Sequence, residues 1–179
     1  MSADWTEYSI LDVYNVTNGL NKNRSEFGFG HPFLTFKEVF YNYFVPDELV
    51  SLANTTSKER EKCSVRAGDV FITRTSETFE ELGISCVALK DYPSATFNGF
   101  CKRLRPKGAV DVDPKYSAFF FKGPDFRRQV LSLTNMSTRA SLNNDMLKRL
   151  TIKLPPLRVQ RYVAKVLTRS QFRYAIMHA

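Results

Sequence analysis

Leu150-Thr151-Ile152-Lys153-Leu154-Pro155-Pro156-Leu157-Arg158-Val159-Gln160-Arg161-Tyr162-Val163-Ala164-Lys165-Val166-Leu167 sets a boundary in this chain. Thr151 to Leu154 alternates as a closing strand does, with Ile152 and Leu154 on one face. Pro155 biases itself and Leu154 away from the α region, and Pro156 suits the first position of a helix. From Leu157 onward Val159, Val163, Val166, Leu167, Tyr174 and Met177 share one arc of a helical wheel. The pattern predicts a globular body over residues 1–154 and a separate helix over 155–179, about 35 Å long from Leu157 at 1.5 Å per residue. That arc is expected to meet a partner helix.

Working outward, 179 residues with 43% hydrophobic and 13% aromatic content suffice for one cored domain plus an appendage. The N-terminus has neither a basic n-region nor an apolar h-region, so no secretory signal is expected. No apolar run is long enough to span a bilayer. Cys63, Cys86 and Cys101 are odd in number and widely spaced, which fits buried thiols in a reducing cytoplasm.

The formal charge of +8 is unevenly placed. Residues 148–179 carry eight basic side chains and no acidic one, leaving 18 of each sign in 1–147. Within the body, 1–99 holds nine basic and 14 acidic residues, and 100–147 holds nine basic and four acidic. A polyanion therefore fits the second half and the tail.

In chain order, Trp5 to Val16 reads as the opening strand, and Asn15 to Gly30 as an Asn- and Gly-rich loop. It is either a surface hairpin or a loop whose Lys22 and Arg24 near the tip reach a phosphate or base edge of DNA. Thr35 to Glu38 has the form of a capping box for a short helix, with Phe36, Val39, Phe40 and Tyr43 as its buried stripe. Ser57 to Lys62 reads as a charged turn, and Arg66 to Asp69 as a tight turn into the buried strand Val70–Arg74. That strand runs into Thr75-Ser76, hydroxyls beside an arginine that suit phosphates and a guanine edge, or local backbone bonds. Ile84 to Leu89 is a second core strand, and Thr96 to Leu104 reads as a hairpin around Asn98-Gly99 that delivers Lys102, Arg103 and Arg105 to phosphates.

Asp113 and Pro114 are an N-cap and N1 proline for a helix closed at Gly123, with Tyr116, Phe119 and Phe120 in the core. Pro124 opens another helix, with Phe126, Val130 and Leu133 inward and Arg127 and Arg128 outward. The polar run Asn135 to Asn144 offers Thr138, Arg139, Asn143 and Asn144 to base edges or phosphates, and its Ser141 suits a helix cap.

Catalytic signatures are sparse. His31 and His178 are the only histidines, and no Walker loop, Rossmann glycine fingerprint or serine elbow occurs. Asp113-Pro114-Lys115-Tyr116 lacks the second proline of the adenine-flipping tetrapeptide of amino-methyltransferases, and a helix cap explains it. No metal, cofactor or enzymatic activity is expected.

Three segments, in this order, resemble one target recognition domain of a type I restriction–modification specificity (S) subunit with the start of its conserved helix. They are Gly68-Asp69-Val70-Phe71-Ile72-Thr73-Arg74, Met136 through Asn144, and Leu154-Pro155-Pro156-Leu157 with Gln160. The resemblance implies an α+β fold, a mixed α/β recognition domain followed by a protruding helix. It implies sequence-specific binding of duplex DNA, and assembly with an adenine methyltransferase (M) subunit and through it the restriction (R) subunit. Family members have two recognition domains and two long helices; this chain has one domain, a shorter helix, and Val159 where a Glu is usual. A half-subunit or fragment is the expectation, self-associating as a dimer or pairing with another S polypeptide through the helix. The alternative is a decoy that occupies the methyltransferase without reading DNA.

Residue chemistry names the contacts: Arg74, Ser76, Arg139, Asn143 and Asn144 for base edges, and Lys102, Arg103, Arg105 and nearby lysines for phosphates.

Overall fold

Both faces of strand β5 (Val70–Thr73) are covered, which is why Val70, Phe71 and Ile72 are all apolar rather than alternating. Buried Thr73 donates its hydroxyl to Glu81 O at 2.5 Å. The structure, a computed structural model, describes residues 4–75, 78–134 and 141–177, the side chains of Phe79 and of 171–177 excepted. Its elements in order are β1 (Thr6–Ser9), α1 (Ile10–Val13), β2 (Tyr14–Asn18), a 3-10 turn at Arg24–Glu26, β3 (Phe27–Leu34), α2 (Phe36–Tyr41), β4 (Leu52–Ala53) and α3 (Ser57–Lys62). After β5 come a 3-10 turn at Phe79–Glu81, β6 (Ser85–Val87), β7 (Thr96–Phe97), β8 (Cys101–Pro106), α4 (Pro114–Lys122), α5 (Pro124–Thr134), α6 (Asn144–Arg149), β9 (Thr151–Leu154) and α7 (Leu157–Met177). The α+β class is as expected.

An antiparallel sheet in the order β2-β8-β5-β6 separates two cores. On one side Val70, Ile72, Val87 and Leu104 pack with Ile10, Tyr14, Phe121, Phe126, Val130 and Leu147. On the other Phe71, Cys86 and Cys101 pack with Leu34, Val39, Tyr92 and Phe97. A mixed sheet, β4-β3-β7, borders the second core. β1 pairs antiparallel with β9, from Thr6 opposite Leu154 to Ser9 opposite Thr151. In β9 Ile152 and Leu154 are buried and Lys153 is exposed, the expected alternation.

Several local expectations hold. Thr35 and Glu38 cap α2 reciprocally, and Asp113 Oδ1 accepts the Tyr116 N–H at 2.9 Å to cap α4. Others are corrected. Trp5–Val16 is not one strand, because the single turn α1 buries Ile10 and Val13 and passes the chain from one sheet to another. Ser57–Lys62 is a helix with its own Thr56/Glu59 capping box. In the α2 stripe only Val39 is fully buried; Phe36, Phe40 and Tyr43 are half-covered. In α4 the face toward β6 and α7 carries Tyr116, Ser117, Ala118 and Phe121, so Phe119 and Phe120 are only half-buried. Arg127 is half-buried and donates to the carbonyls of Leu82 and Glu80, while Arg128 is exposed. Asn143 rather than Ser141 caps α6.

The proline pair turns the chain as expected, but the packing boundary lies beyond it. The Pro156 carbonyl accepts from the N–H of Gln160 at 3.1 Å, so Pro156 stands just before the helix rather than inside it. Gln160 is 1% exposed. Its Oε1 accepts the Asp113 N–H at 2.9 Å, and its Nε2 donates to Asp111 O at 3.0 Å and Pro155 O at 2.9 Å. Ala164 belongs to the body's core and Val163 packs against it. The first two turns of α7 are therefore part of the body, packed against α4. Farther along, Val166 and Leu167 are 45% and 38% exposed. The side chains of Tyr174 and Met177 lie outside the described residues. Among the described residues no helix is long and apolar enough to cross a membrane.

Candidate nucleic-acid interface

Four chain segments meet at one end of the central sheet. β5 and β8 run in register with Val70 opposite Leu104, Ile72 opposite Lys102 and Thr73 opposite Cys101. The next pair is Arg74 and Phe100, joined by the Arg74 N–H donating to Phe100 O at 2.9 Å. The Arg74 Nε also donates to Gly99 O at 2.6 Å. Arg74 O accepts the Leu142 N–H at 2.7 Å, and Thr75 bridges Ser141, which brings in the segment before α6. From the exit of β2, the Gly19 N–H donates to Cys101 O at 3.1 Å and the Leu20 N–H to Phe97 O at 2.9 Å.

Two glycines permit this approach. A Cβ on Gly19 would lie 2.1 Å from Asn98 O, and one on Gly99 would lie 1.9 Å from Asn21 Oδ1. Each distance is far inside van der Waals contact, so neither position takes a side chain unless the loops part. The expected hairpin over Thr96–Leu104 is absent, because its two arms join different sheets. β7 pairs with β3, and Asn98 to Phe100 is a turn that hands the chain to the central sheet.

Lys102 organises the polar groups at this end. It is 4% exposed, and its Nζ donates to Asn18 Oδ1 at 2.9 Å and Asn144 Oδ1 at 3.0 Å. Desolvation, with Arg74 nearby as a second cause, holds its ammonium below the ordinary lysine range. A lysine only donates, so each amide must turn its oxygen inward, leaving the two Nδ2 groups as the remaining donors. Asn143 is fixed similarly, its Oδ1 accepting the Met146 N–H at 2.9 Å. Asn18, Asn143 and Asn144 are all exposed.

The expected phosphate contacts fare differently. β8 is an inner strand with both faces covered, so its basic side chains turn into the protein. Arg103 is 6% exposed and donates to Ser64 O at 2.6 Å and Thr17 Oγ1 at 3.1 Å. Arg105 forms a bidentate pair with the fully buried Asp69, both bonds at 2.7 Å. Lys102, Arg103 and Arg105 thus hold the fold from within and do not project toward a phosphate backbone.

Lys22 is also committed internally. It lies 2.8 Å from Glu59 and 3.3 Å from Glu26, and Glu59 foremost holds its ammonium above the usual range. It ties the loop to α3. Arg24, two residues on, is exposed. Of the expected contacts, the structure brings Arg74, Thr75, Asn143 and Asn144 together with buried Lys102. Ser76, Thr138 and Arg139 lie outside the described residues. On the helix Val159 and Val163 are half-buried, so the expected partner arc is divided between the body and solvent.

Sequence reasoning missed Asn18 and Phe100. Phe100, joined to Arg74 through its carbonyl, is 58% exposed, and Phe27 and Phe29 on β3 are 38% and 52% exposed. Phe27 and Asn98 line one open groove beside it. The available signal was a pair of Asn-Gly steps, at 18–19 and 98–99, each freeing a neighbour to sit at a tight turn.

Among the described residues no three His, Cys, Asp or Glu side chains are placed to hold a metal. Cys63, Cys86 and Cys101 are buried and unpaired, and burial pushes the thiols of Cys86 and Cys101 up to about 12.

Fold and site together define a mixed α/β module in which amide, guanidinium and phenyl groups gather at one end of the central sheet. The chain belongs to the type I restriction modification DNA specificity domain family, whose model matches residues 2–177. It is 24% identical over 151 residues to the type I restriction enzyme EcoKI specificity subunit of Escherichia coli (strain K12), a match covering 84% of this chain and 32% of that protein.

Solved structures share the fold. A chain from a study of complex assembly and conformational transition of the type I R-M system superposes with a TM-score of 0.68 at 20% identity, covering 97% of this chain and 40% of that one. The HsdS subunit from Thermoanaerobacter tengcongensis gives 0.63 at 19% identity, with 97% and 39% coverage. The type-I restriction-modification S subunit from M. genitalium gives 0.62 at 13% identity, with 96% and 40% coverage. The chain therefore spans about a third of the curated relative and about two-fifths of each solved chain.

Proposed function

We propose that this chain reads one half of a bipartite duplex DNA site and directs an adenine methyltransferase subunit, and through it a restriction subunit, to that site. It performs no chemistry of its own in this reading and works in the cytoplasm. The observation that carries it is the gathering of Arg74, Asn18 and Asn144 around buried Lys102, with amide oxygens turned inward and amide donors left over. The acceptors of a major groove, guanine N7 and O6, adenine N7 and thymine O4, suit such donors.

Arg74, Asn18, Asn143 and Asn144 face base edges in this reading, joined by Ser76, Thr138 and Arg139 from the flanking segments, whereas the Thr75 hydroxyl is buried and stays out of it. Exposed Arg24 contacts phosphate. The open part of α7, with Tyr162, Val166 and Leu167, meets the partner. Arg158, Arg161, Lys165 and Arg169 are exposed on the same helix, which has no acid among its described residues, so an acidic methyltransferase surface suits it better than a second copy.

The test is a selection from random duplexes with and without the methyltransferase. Arg74→Ala should relax sequence preference, while Arg24→Ala should weaken all duplexes alike and lower the salt dependence. Equal losses for Arg74→Ala on selected and random duplexes would overturn its role. Methyltransferase binding with no salt-dependent DNA shift would instead favour the decoy alternative.

A further inference from the structure

At the polar end of the central sheet one large apolar side chain stands in water beside Arg74. Phe100 is 58% exposed, yet its backbone is held on both sides. Its N–H donates to Asn98 Oδ1 at 2.8 Å, and its carbonyl accepts the Arg74 N–H at 2.9 Å. The Gly99 carbonyl beside it accepts the Arg74 Nε–H at 2.6 Å. The ring is therefore carried on a fixed turn, in the cross-strand position next to Arg74.

We infer that Phe100 reads a thymine by apolar contact with its 5-methyl group in the major groove. This rests on the DNA-reading function proposed above. Among base edges in that groove the thymine methyl is the apolar feature, and phenylalanine is one of the side chains that meets it. Paired cross-strand residues have Cβ atoms about 5 Å apart, and successive bases rise about 3.4 Å along a strand. A guanine taken by Arg74 and a thymine taken by Phe100 are then neighbouring base pairs. Insertion between base pairs would instead unstack and kink the duplex, an outcome that the experiment separates from methyl contact.

The experiment uses the full chain with its methyltransferase and the duplex recovered by selection. Each thymine is replaced in turn by uracil, which removes only the methyl group. Binding should fall about fourfold at one position, beside the guanine lost in the Arg74→Ala preference, as burial of one methyl predicts. Phe100→Ala should weaken the thymine duplex and show no further loss with uracil, whereas Phe100→Leu should keep the discrimination.

Tolerance of uracil everywhere, or equal uracil sensitivity in Phe100→Ala, would overturn the inference. So would Phe100-dependent unstacking of a 2-aminopurine probe, which marks a wedge. Sequence-specific binding that depends on Arg74 but not on Phe100 sinks this inference alone. Absence of any sequence preference sinks the DNA-reading function with it.

Discussion

Replacing Gln160 by leucine tests how α7 is fastened to the body. The side chain is 1% exposed, so a substitute of similar volume opens little cavity and the change falls on hydrogen bonding. Leucine removes the acceptor for the Asp113 N–H and the donor for the carbonyls of Asp111 and Pro155. Asp111 is exposed, and its carbonyl can turn to water; Pro155 is buried, and Asp113 is partly so. Two orphaned groups at about 1–3 kcal/mol each give a loss of about 2–6 kcal/mol. With a urea slope of about 2 kcal/mol per molar, the unfolding midpoint drops by about 1–3 M.

The effect should reach past α7, because Asp113 caps α4 through Tyr116, whose hydroxyl donates to Lys153 O at 3.0 Å in β9. Near-ultraviolet circular dichroism should register that loosening. Gln160→Glu supplies the comparison: it keeps an acceptor for Asp113 but sets an anion against two carbonyls. Burial and those carbonyls raise the new carboxyl's pKa in the folded state. Its contribution is therefore best below the unfolded value of about 4.3 and is lost as pH rises through the folded value. The glutamate variant should recover part of its stability in acid relative to the leucine variant. A Gln160→Leu loss under about 1 kcal/mol, or a glutamate variant with no such acid recovery, would refute the account.

Arg105→Met should cost about 3 kcal/mol in thermal or urea unfolding, since it strands the fully buried carboxylate of Asp69. It should leave DNA sequence preference unchanged, and a changed preference at full stability would contradict its placement. Lys102→Met should change stability by no more than about 1 kcal/mol, because it removes a costly buried cation as well as its bonds. It should nonetheless relax sequence preference by releasing Asn18 and Asn144, and unaltered selection would count against that role.

Stability should also decline in alkali. The thiols of Cys86 and Cys101 are raised from an ordinary value of 9.0 to about 12 in the fold, so their contribution is intact below about pH 9 and falls as pH climbs toward the folded value. The two together should lose about 3 kcal/mol by pH 10. Urea titrations of a Cys86→Ala/Cys101→Ala variant should show a flatter pH profile.

What the chain encodes locally is what could be read from it directly. Thr35 with Glu38, and Asp113 with Pro114, mark helix starts because capping involves groups three residues apart. Alternation in Thr151–Leu154 and the following prolines mark the turn into the last helix because φ and side-chain direction are properties of adjacent residues.

Which way the basic residues point was not legible. Lys102, Arg103 and Arg105 look like an exposed cluster until β8 is seated between β2 and β5. Only then do Asn18, Asn144, Ser64 and Asp69, each more than 30 residues away in the chain, arrive as their partners. The same nonlocal pairing sets Arg74 opposite Phe100 and closes Gly19 onto Asn98. A side chain's partners across a sheet depend on strand order and register, which no window of neighbouring residues contains. The kinds of group available for recognition are thus written in the sequence, while their selection and aim belong to the tertiary fold.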